Sequence, residues 1–158
     1  MLSVLIAFGV RCLLVGLFLP FSALDKVLNF KASIHQSSQA VPNRMLATIL
    51  IAGGFGIEVI MSAAILAGMA DRLAAFVLAG YCIVTALFWK QFWKTPDFSL
   101  KGKSNGRDVF WDFLKNIALA GGFLLLTFGT DAAGVKRFVH DPLASSKPYA
   151  ESYVNDGQ

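Results

Sequence analysis

Charge is scarce in this chain. Asp, Glu, Lys and Arg make up only 15% of its 158 residues, against 56% hydrophobic residues, and the mean hydropathy is +0.60. A water-soluble domain of this size has no need for so much apolar sequence. Histidine is limited to His35 and His140, and cysteine to Cys12 and Cys82, with no CxxC pair. Neither histidine falls at mid-membrane depth, so the chain has no means of holding a bis-histidine haem by itself. The cysteines sit inside apolar stretches and read as small apolar fillers rather than a disulfide or redox pair. Zinc-ligand spacing, a phosphate-binding loop and a glycine-rich dinucleotide fingerprint are all missing. The GGFG run at Gly53–Gly56 lies within an apolar helix, not after a strand. The apolar stretches are continuous rather than alternating, and too few, for a membrane β-barrel.

Those stretches run from Leu2 to Leu24, Met45 to Ala70, Leu73 to Phe88 and Val109 to Phe128. Each approaches or reaches the length needed to cross about 30 Å of hydrocarbon. Backbone polar groups in lipid must be paired within their own segment, so helices are the default. The expected fold is all-α, a polytopic transmembrane four-helix bundle over residues 1–130, followed by a polar C-terminal tail over residues 131–158. The first stretch has no basic leader and no convincing cleavage site before Asp25 and Lys26, which favours a retained helix over a processed signal. The span between Asn29 and Arg44 has room for a short interfacial helix touching the headgroups through Phe30, Ile34, Ala40 and Val41, with Pro42 marking the approach to the second span. Asp71–Arg72 reads as a tight loop between the second and third spans. Ser145 onward reads as loosely ordered unless a partner holds it.

Net charge is +4. Most basic residues flank helices, which points to anionic lipid headgroups rather than nucleic acid. Lys26, Lys31, Arg44, Lys90, Lys94, Lys101, Lys103 and Arg107 fall on the side of the first and third connections, eight against the four of Arg72, Lys136, Arg137 and Lys147. The positive-inside rule therefore puts those connections in the cytoplasm, and both termini on the exterior or periplasmic side of a bacterial-type inner membrane. Trp89, Phe92 and Trp93 beside Lys90 and Lys94, with Phe110 and Trp111 on the same side, read as an aromatic belt with snorkelling lysines; the same rings could wall a quinone-like ligand.

Several polar side chains lie where lipid penalises them. Counting from Lys26 and Arg44 at about 1.5 Å per residue, Arg11 and Glu58 both fall about 21–22 Å deep, which predicts that they pair. Lys115 and Asn116 lie at middle depth on the fourth span, with Asp112 one turn away to neutralise the lysine. Tyr81 matches Asn116 in depth, and Thr85 lies one turn nearer the same membrane face. With Ser22, Asp25 and Lys26 these groups form a ladder confined to one half of the membrane. The expected buried polar core is Arg11, Glu58, Lys115 and Asn116. The candidate ligand-binding residues are Tyr81, Thr85, Trp89, Trp111, Lys115 and Asn116. A cavity and a filled internal network fit this ladder equally. Small residues at Ala52, Gly53, Gly56, Ala118 and Gly122 are expected to mark close helix approaches.

The segments RCLLVGLFLPFSALDKVLNF (Arg11–Phe30), GIEVIMSAAILAGMADRLAA (Gly56–Ala75) and FLKNIALAGGFLLL (Phe113–Leu126) resemble the DoxX family of small membrane proteins. The landmarks are Arg11, Glu58, Arg72 and the Lys115–Asn116 and Gly121–Gly122 pairs. Ser22, Ala23 and Asp25 depart from the glycine common before the lysine that ends the first helix, and the tail exceeds the minimal unit. The resemblance implies a four-helix inner-membrane protein; some relatives are associated with quinone-linked oxidation of sulfur compounds and others accompany different membrane redox systems. The leading expectation is an accessory or anchor subunit of a redox assembly that binds or passes a quinone, with no intrinsic metal cofactor and with lipids and another membrane or redox protein as partners. A small-solute transporter or channel using the ladder, and a non-catalytic structural partner, are the alternatives. An autonomous enzyme ranks below them, because no nucleophile–base–orienter set can be assembled.

Overall fold

The computed structural model describes residues 1–31, 34 and 43–150. It is all-helical among those residues, and four of its helices are long and apolar enough to cross a membrane: Leu2–Leu28, Arg44–Ala67, Asp71–Lys94 and Asn105–Phe128. Ala40, Val41 and Pro42, expected in or beside an interfacial helix, lie outside the described residues.

The first span is not a uniform helix. α1 (Leu2–Val15) passes through a π-helical stretch at Leu17–Ser22 and resumes as α2 (Ala23–Leu28). Pro20 sits inside the wide stretch. Proline has no N–H to donate and its ring crowds the carbonyl four residues earlier, so the backbone loosens there. The second span, α3 (Arg44–Ala67), starts at Asn43, whose side chain accepts from the amides of Met45 and Leu46 at 2.9 and 3.3 Å. It stops at Gly68, which is left-handed at φ 68°. Only glycine takes this conformation freely. The chain then reverses into α4 (Asp71–Trp89) within three residues. α5 (Asn105–Phe128) is capped by Ser104, which accepts from the Arg107 amide at 3.1 Å. The Asp97 carboxylate takes two further free amides at its start, those of Asn105 and Gly106. α6 (Ala132–His140) follows after a short turn, capped by Asp131 on the Gly134 amide.

α4 is the centre of the bundle, packing on both α3 and α5. It buries Ala74, Ala75, Leu78, Ala79 and Cys82 against Val15, Phe18, Ile65, Ala120 and Phe123, and Ala86 is buried further along. The small residues that bring helices together are thus the alanines of α4 and, as expected, Gly122 of α5, where a Cβ would stand 2.8 Å from Leu14. Gly53 and Gly56, expected in that role, face open space, as do Gly80 and Gly121. Gly54 is the glycine of that run at a contact: a Cβ there would stand 3.0 Å from the Tyr81 hydroxyl oxygen. Large side chains such as Leu5, Leu13, Leu17, Phe21, Ile60 and Leu125 point outward. Lipid is as apolar as leucine, so an apolar exterior costs nothing there and small interior residues gain by close packing.

The aromatic residues at the loop end of α4 and α5 stack on each other. Phe92 lies 5.0 Å from Phe110, 5.2 Å from Phe98 and 5.4 Å from Phe113, mostly edge to face. With Asp97 they tie down the polar connection expected to run near the surface.

The contrast between two neighbouring glycines gives a direct check. Gly54→Leu must displace Tyr81, whereas Gly53→Leu extends into open space. G54L is expected to destabilise the bundle by about 1–3 kcal/mol. G53L should leave the thermal midpoint in lipid bicelles near wild type. Equal midpoints for the two variants would contradict this packing.

Candidate functional site

Among the described residues three ionic centres occupy the bundle, and two are buried. The first surrounds Glu58, which is 2% exposed. The Lys26 ammonium reaches both carboxylate oxygens at 2.7 Å. The Ser22 hydroxyl donates to Oε2 at 3.0 Å and itself accepts from Lys26 at 2.7 Å. The Tyr81 hydroxyl donates to Oε1 at 2.8 Å. An ammonium, a phenol and an alcohol therefore satisfy one carboxylate, as a charge removed from water requires. Ser22 and Lys26 are one turn apart, where the π stretch gives way to α2. Phe18 lies edge-on to the Tyr81 ring at 6.4 Å, and Gly54 leaves room for its hydroxyl. The Lys26 side chain is 15% exposed, so this centre has one edge near the surface.

The second centre lies at the opposite end of the bundle. Arg11 pairs with Asp71 at 2.6 Å, and Asp71 is completely buried. The tail completes it. The Ser146 amide donates to Asp71 Oδ1 at 2.8 Å, the Ser146 hydroxyl bonds Oδ2, and Arg11 donates to that hydroxyl at 2.9 Å. Arg11 also stands 5.9 Å over the Tyr149 ring, whose hydroxyl donates to the Leu66 carbonyl. Ser145 donates to the Gly68 carbonyl at 2.6 Å, and a side chain at Gly68 would strike Pro148. Residues 145–149 are thus docked on the bundle, against the expectation of a loose tail from Ser145; the rest of that expectation, from 151 onward, lies outside the described residues.

Arg11 and Glu58 do not pair. The cause is the direction side chains take on a helix. Each leans over the turn toward its own helix N-terminus. On the first span this carries Arg11 outward to Asp71 and brings Lys26 inward to Glu58. α3 runs the other way, so Glu58 leans toward Lys26. Depth counted from Cα positions omits these opposed displacements, and treating Lys26 as a headgroup marker compounds the error. Asp71 escapes a reading of the sequence because it resembles a loop residue beside Arg72, yet it opens α4 inside the bundle.

The third centre is at the loop end. Asp112 accepts from Lys90 at 3.1 Å and from Lys115 at 3.2 Å. The Lys115 side chain is 71% exposed and does not belong to the buried core. Asn116 is half-buried and donates to the Asp112 carbonyl of its own helix at 2.9 Å, so it needs no partner from another span. Thr85 and Trp89 are half-buried and Trp111 is exposed. Of the candidate ligand residues, Tyr81 joins the Glu58 centre directly, and Thr85, one turn along α4, hydrogen-bonds to Tyr81. Arg72 turns its side chain to a surface cavity while its carbonyl accepts from Thr127 at 3.2 Å. Among the described residues no group of three or more His, Cys, Asp or Glu side chains gathers as a metal site would need.

The DoxX family model matches residues 2–91, more than half of the chain, and the protein belongs to that family. The match takes in both buried centres' helical residues, Arg11, Ser22, Lys26, Glu58, Asp71 and Tyr81. It ends before the Phe113–Leu126 segment and the tail. No curated protein and no solved structure matches the chain.

Two separate double-mutant cycles check the pairings. K26M and E58Q should each cost about 3 kcal/mol, and together much less than the sum, because either alone strands a buried partner. R11M and D71N should form a second cycle of the same kind. Reversible unfolding in bicelles measures both. A coupling above about 0.5 kcal/mol between Arg11 and Glu58, with none between Lys26 and Glu58, would refute the assignment.

The docked tail has its own consequence. S146A removes one hydroxyl shared by Arg11 and Asp71, and its expected cost is about 1–2 kcal/mol. S3A, at an exposed serine in the first turn of α1, serves as control. Unchanged stability of S146A relative to that control would show that the tail contributes nothing to the Arg11–Asp71 pair.

Proposed function

We propose that this DoxX-family membrane protein is an inner-membrane accessory or anchor subunit of a redox assembly, and that its Lys26–Glu58–Tyr81 centre serves a quinone bound at the edge of the first, second and third spans. The observation that carries this reading is a protonatable carboxylate, ammonium and phenol held together in one half of the membrane, beside lipid-facing apolar surface. The association of some DoxX-family members with quinone-linked oxidation supports it. So does the aromatic collar formed by Phe92, Trp93, Phe110 and Trp111 at the same end of the bundle.

The site moves from where the sequence suggested. Lys115 is largely exposed and Asn116 donates to its own helix, so the proposed site centres on Tyr81 and its partners instead. Lys26 and Tyr81 carry donors suited to quinone carbonyls, and a ring would bind by taking over bonds that they make to Glu58 and Ser22. A bound quinone supplies two-electron, two-proton capacity, with its electrons coming from a cofactor on a partner protein. The chain's part is to bind and orient, and to hold a proton at Glu58 or Tyr81. Burial of Lys26 also bears on orientation. Its charge is cancelled by Glu58, yet seven basic residues remain on the loop side against four. The balance still favours exterior termini.

A purely structural companion role has one observation in its favour: Glu58 and Asp71 are already fully coordinated. Quinone binding separates the two readings. Protein purified in native lipid is expected to retain quinone and to rebind it saturably, with affinity reduced about tenfold or more in Y81F and K26M, since each loses a hydrogen bond to the ligand. K115M should bind as wild type does. No saturable binding, or loss in K115M with Y81F unchanged, would leave the structural role standing alone.

A further inference from the structure

A cavity of about 520 Å³ opens at the end of the bundle opposite the Glu58 centre. Its walls carry Arg72 from the start of α4, Lys136, Arg137 and His140 from α6, and Asp141 and Ser145 from the segment beyond. Three fixed cations face one wall carboxylate. Arg137 has Asp131 at 3.5 Å, with both side chains more than half exposed. A pair of that kind exchanges readily. Among the described residues the side chains of Arg72 and Lys136 have no carboxylate partner. None of these groups takes part in the centres described above, save Ser145, whose hydroxyl is held by Gly68.

α6 fixes the height of this cavity. Phe138 packs 5.2 Å from Phe76 and 5.4 Å from Phe128, at the ends of the third and fourth spans. Val135, Val139 and Leu143 remain largely exposed, forming an apolar stripe with no protein cover among the described residues, while the basic residues turn to the cavity. A short helix of this kind, following a span directly, lies in the membrane boundary with its apolar stripe among acyl chains. Its cations then stand at headgroup level.

We infer that the Arg72–Lys136–Arg137 cleft is a binding site for the phosphodiester headgroup of an anionic glycerophospholipid. A phosphodiester presents two unesterified oxygens and one negative charge. The flat fork of Arg72 suits those oxygens, and Lys136 and Arg137 complete the charge balance. Free phosphate shares this chemistry, but the apolar stripe beside the cleft has a use only when acyl chains accompany the anion. The inference rests on the membrane-spanning fold alone and is independent of the quinone reading.

Native mass spectrometry of the whole chain with phosphatidylglycerol or phosphatidylcholine tests it. Wild type is expected to retain phosphatidylglycerol in preference. R72Q, and separately K136Q/R137Q on the exposed face of α6, should each lose about fivefold in retention per basic residue removed. K101Q/K103Q makes the same charge change at the other end of the bundle and should keep the preference. Excess inorganic phosphate should not displace the lipid. Equal retention of the two lipids by wild type would overturn the site, without reference to any variant. So would a preference that survives in both cleft variants, or displacement by inorganic phosphate, which would make it a site for a free anion.

Discussion

A carboxylate with almost no access to water, set inside a lipid-embedded bundle, constrains everything around it. Left alone, Glu58 would cost several kcal/mol. Its neutralisation needs an ammonium at the same depth, and Lys26 provides one by reaching back into the membrane instead of out to the headgroups. That reach needs Ser22 and Lys26 on the inner face, after a stretch widened around Pro20. It also needs Tyr81 from α4 and the space left by Gly54. Three helices are therefore fixed relative to one another by the partners of one side chain. This does not make the pair a source of net stability, because an apolar replacement can be equally stable. What it supplies is register: slide any of the three helices by a turn and a buried charge is stranded.

The same logic runs at the other end with different materials. Arg11 and Asp71 are drawn from two spans, and the tail adds Ser146 and Tyr149. The Asp71 carboxylate sits at the first turn of α4, where the helix dipole already favours negative charge. The tail therefore acts as part of the bundle, closing the turn at Gly68 and sealing the ion pair.

The four spans are legible in the sequence because a long unbroken apolar run has little use outside a membrane. Arg11 and Glu58 are recognisable as buried because their depth leaves no route to water. Their partners are not. Pairing depends on the lean of side chains and on helix phase, and both act over about one turn, the error of a depth estimate. Asn116 shows a related limit. An amide in a span needs an acceptor, but the Asp112 carbonyl one turn back serves as well as another helix, and spacing alone does not distinguish them. Small residues mislead in the same way. Gly53, Gly54 and Gly56 look equivalent in sequence, and one of the three meets a neighbour.

The arrangement of the two buried centres bears on what such a bundle can do. Between them lie Val15, Phe18, Ile65, Leu78 and Phe123, tightly packed and apolar. Ser62, one turn beyond Glu58, is fully buried and its hydroxyl has no partner among the described residues. One isolated hydroxyl does not make a path, since ions or solutes crossing here would meet a layer with nothing to replace their water. The buried charges thus sit in two separate centres with an apolar layer between them. Each centre then answers to its own membrane face: Glu58 to the collar of aromatic rings and lysines, Asp71 to the tail and the basic cleft. A bundle built this way keeps its two buried charge centres electrically separate, each neutralised by its own partners.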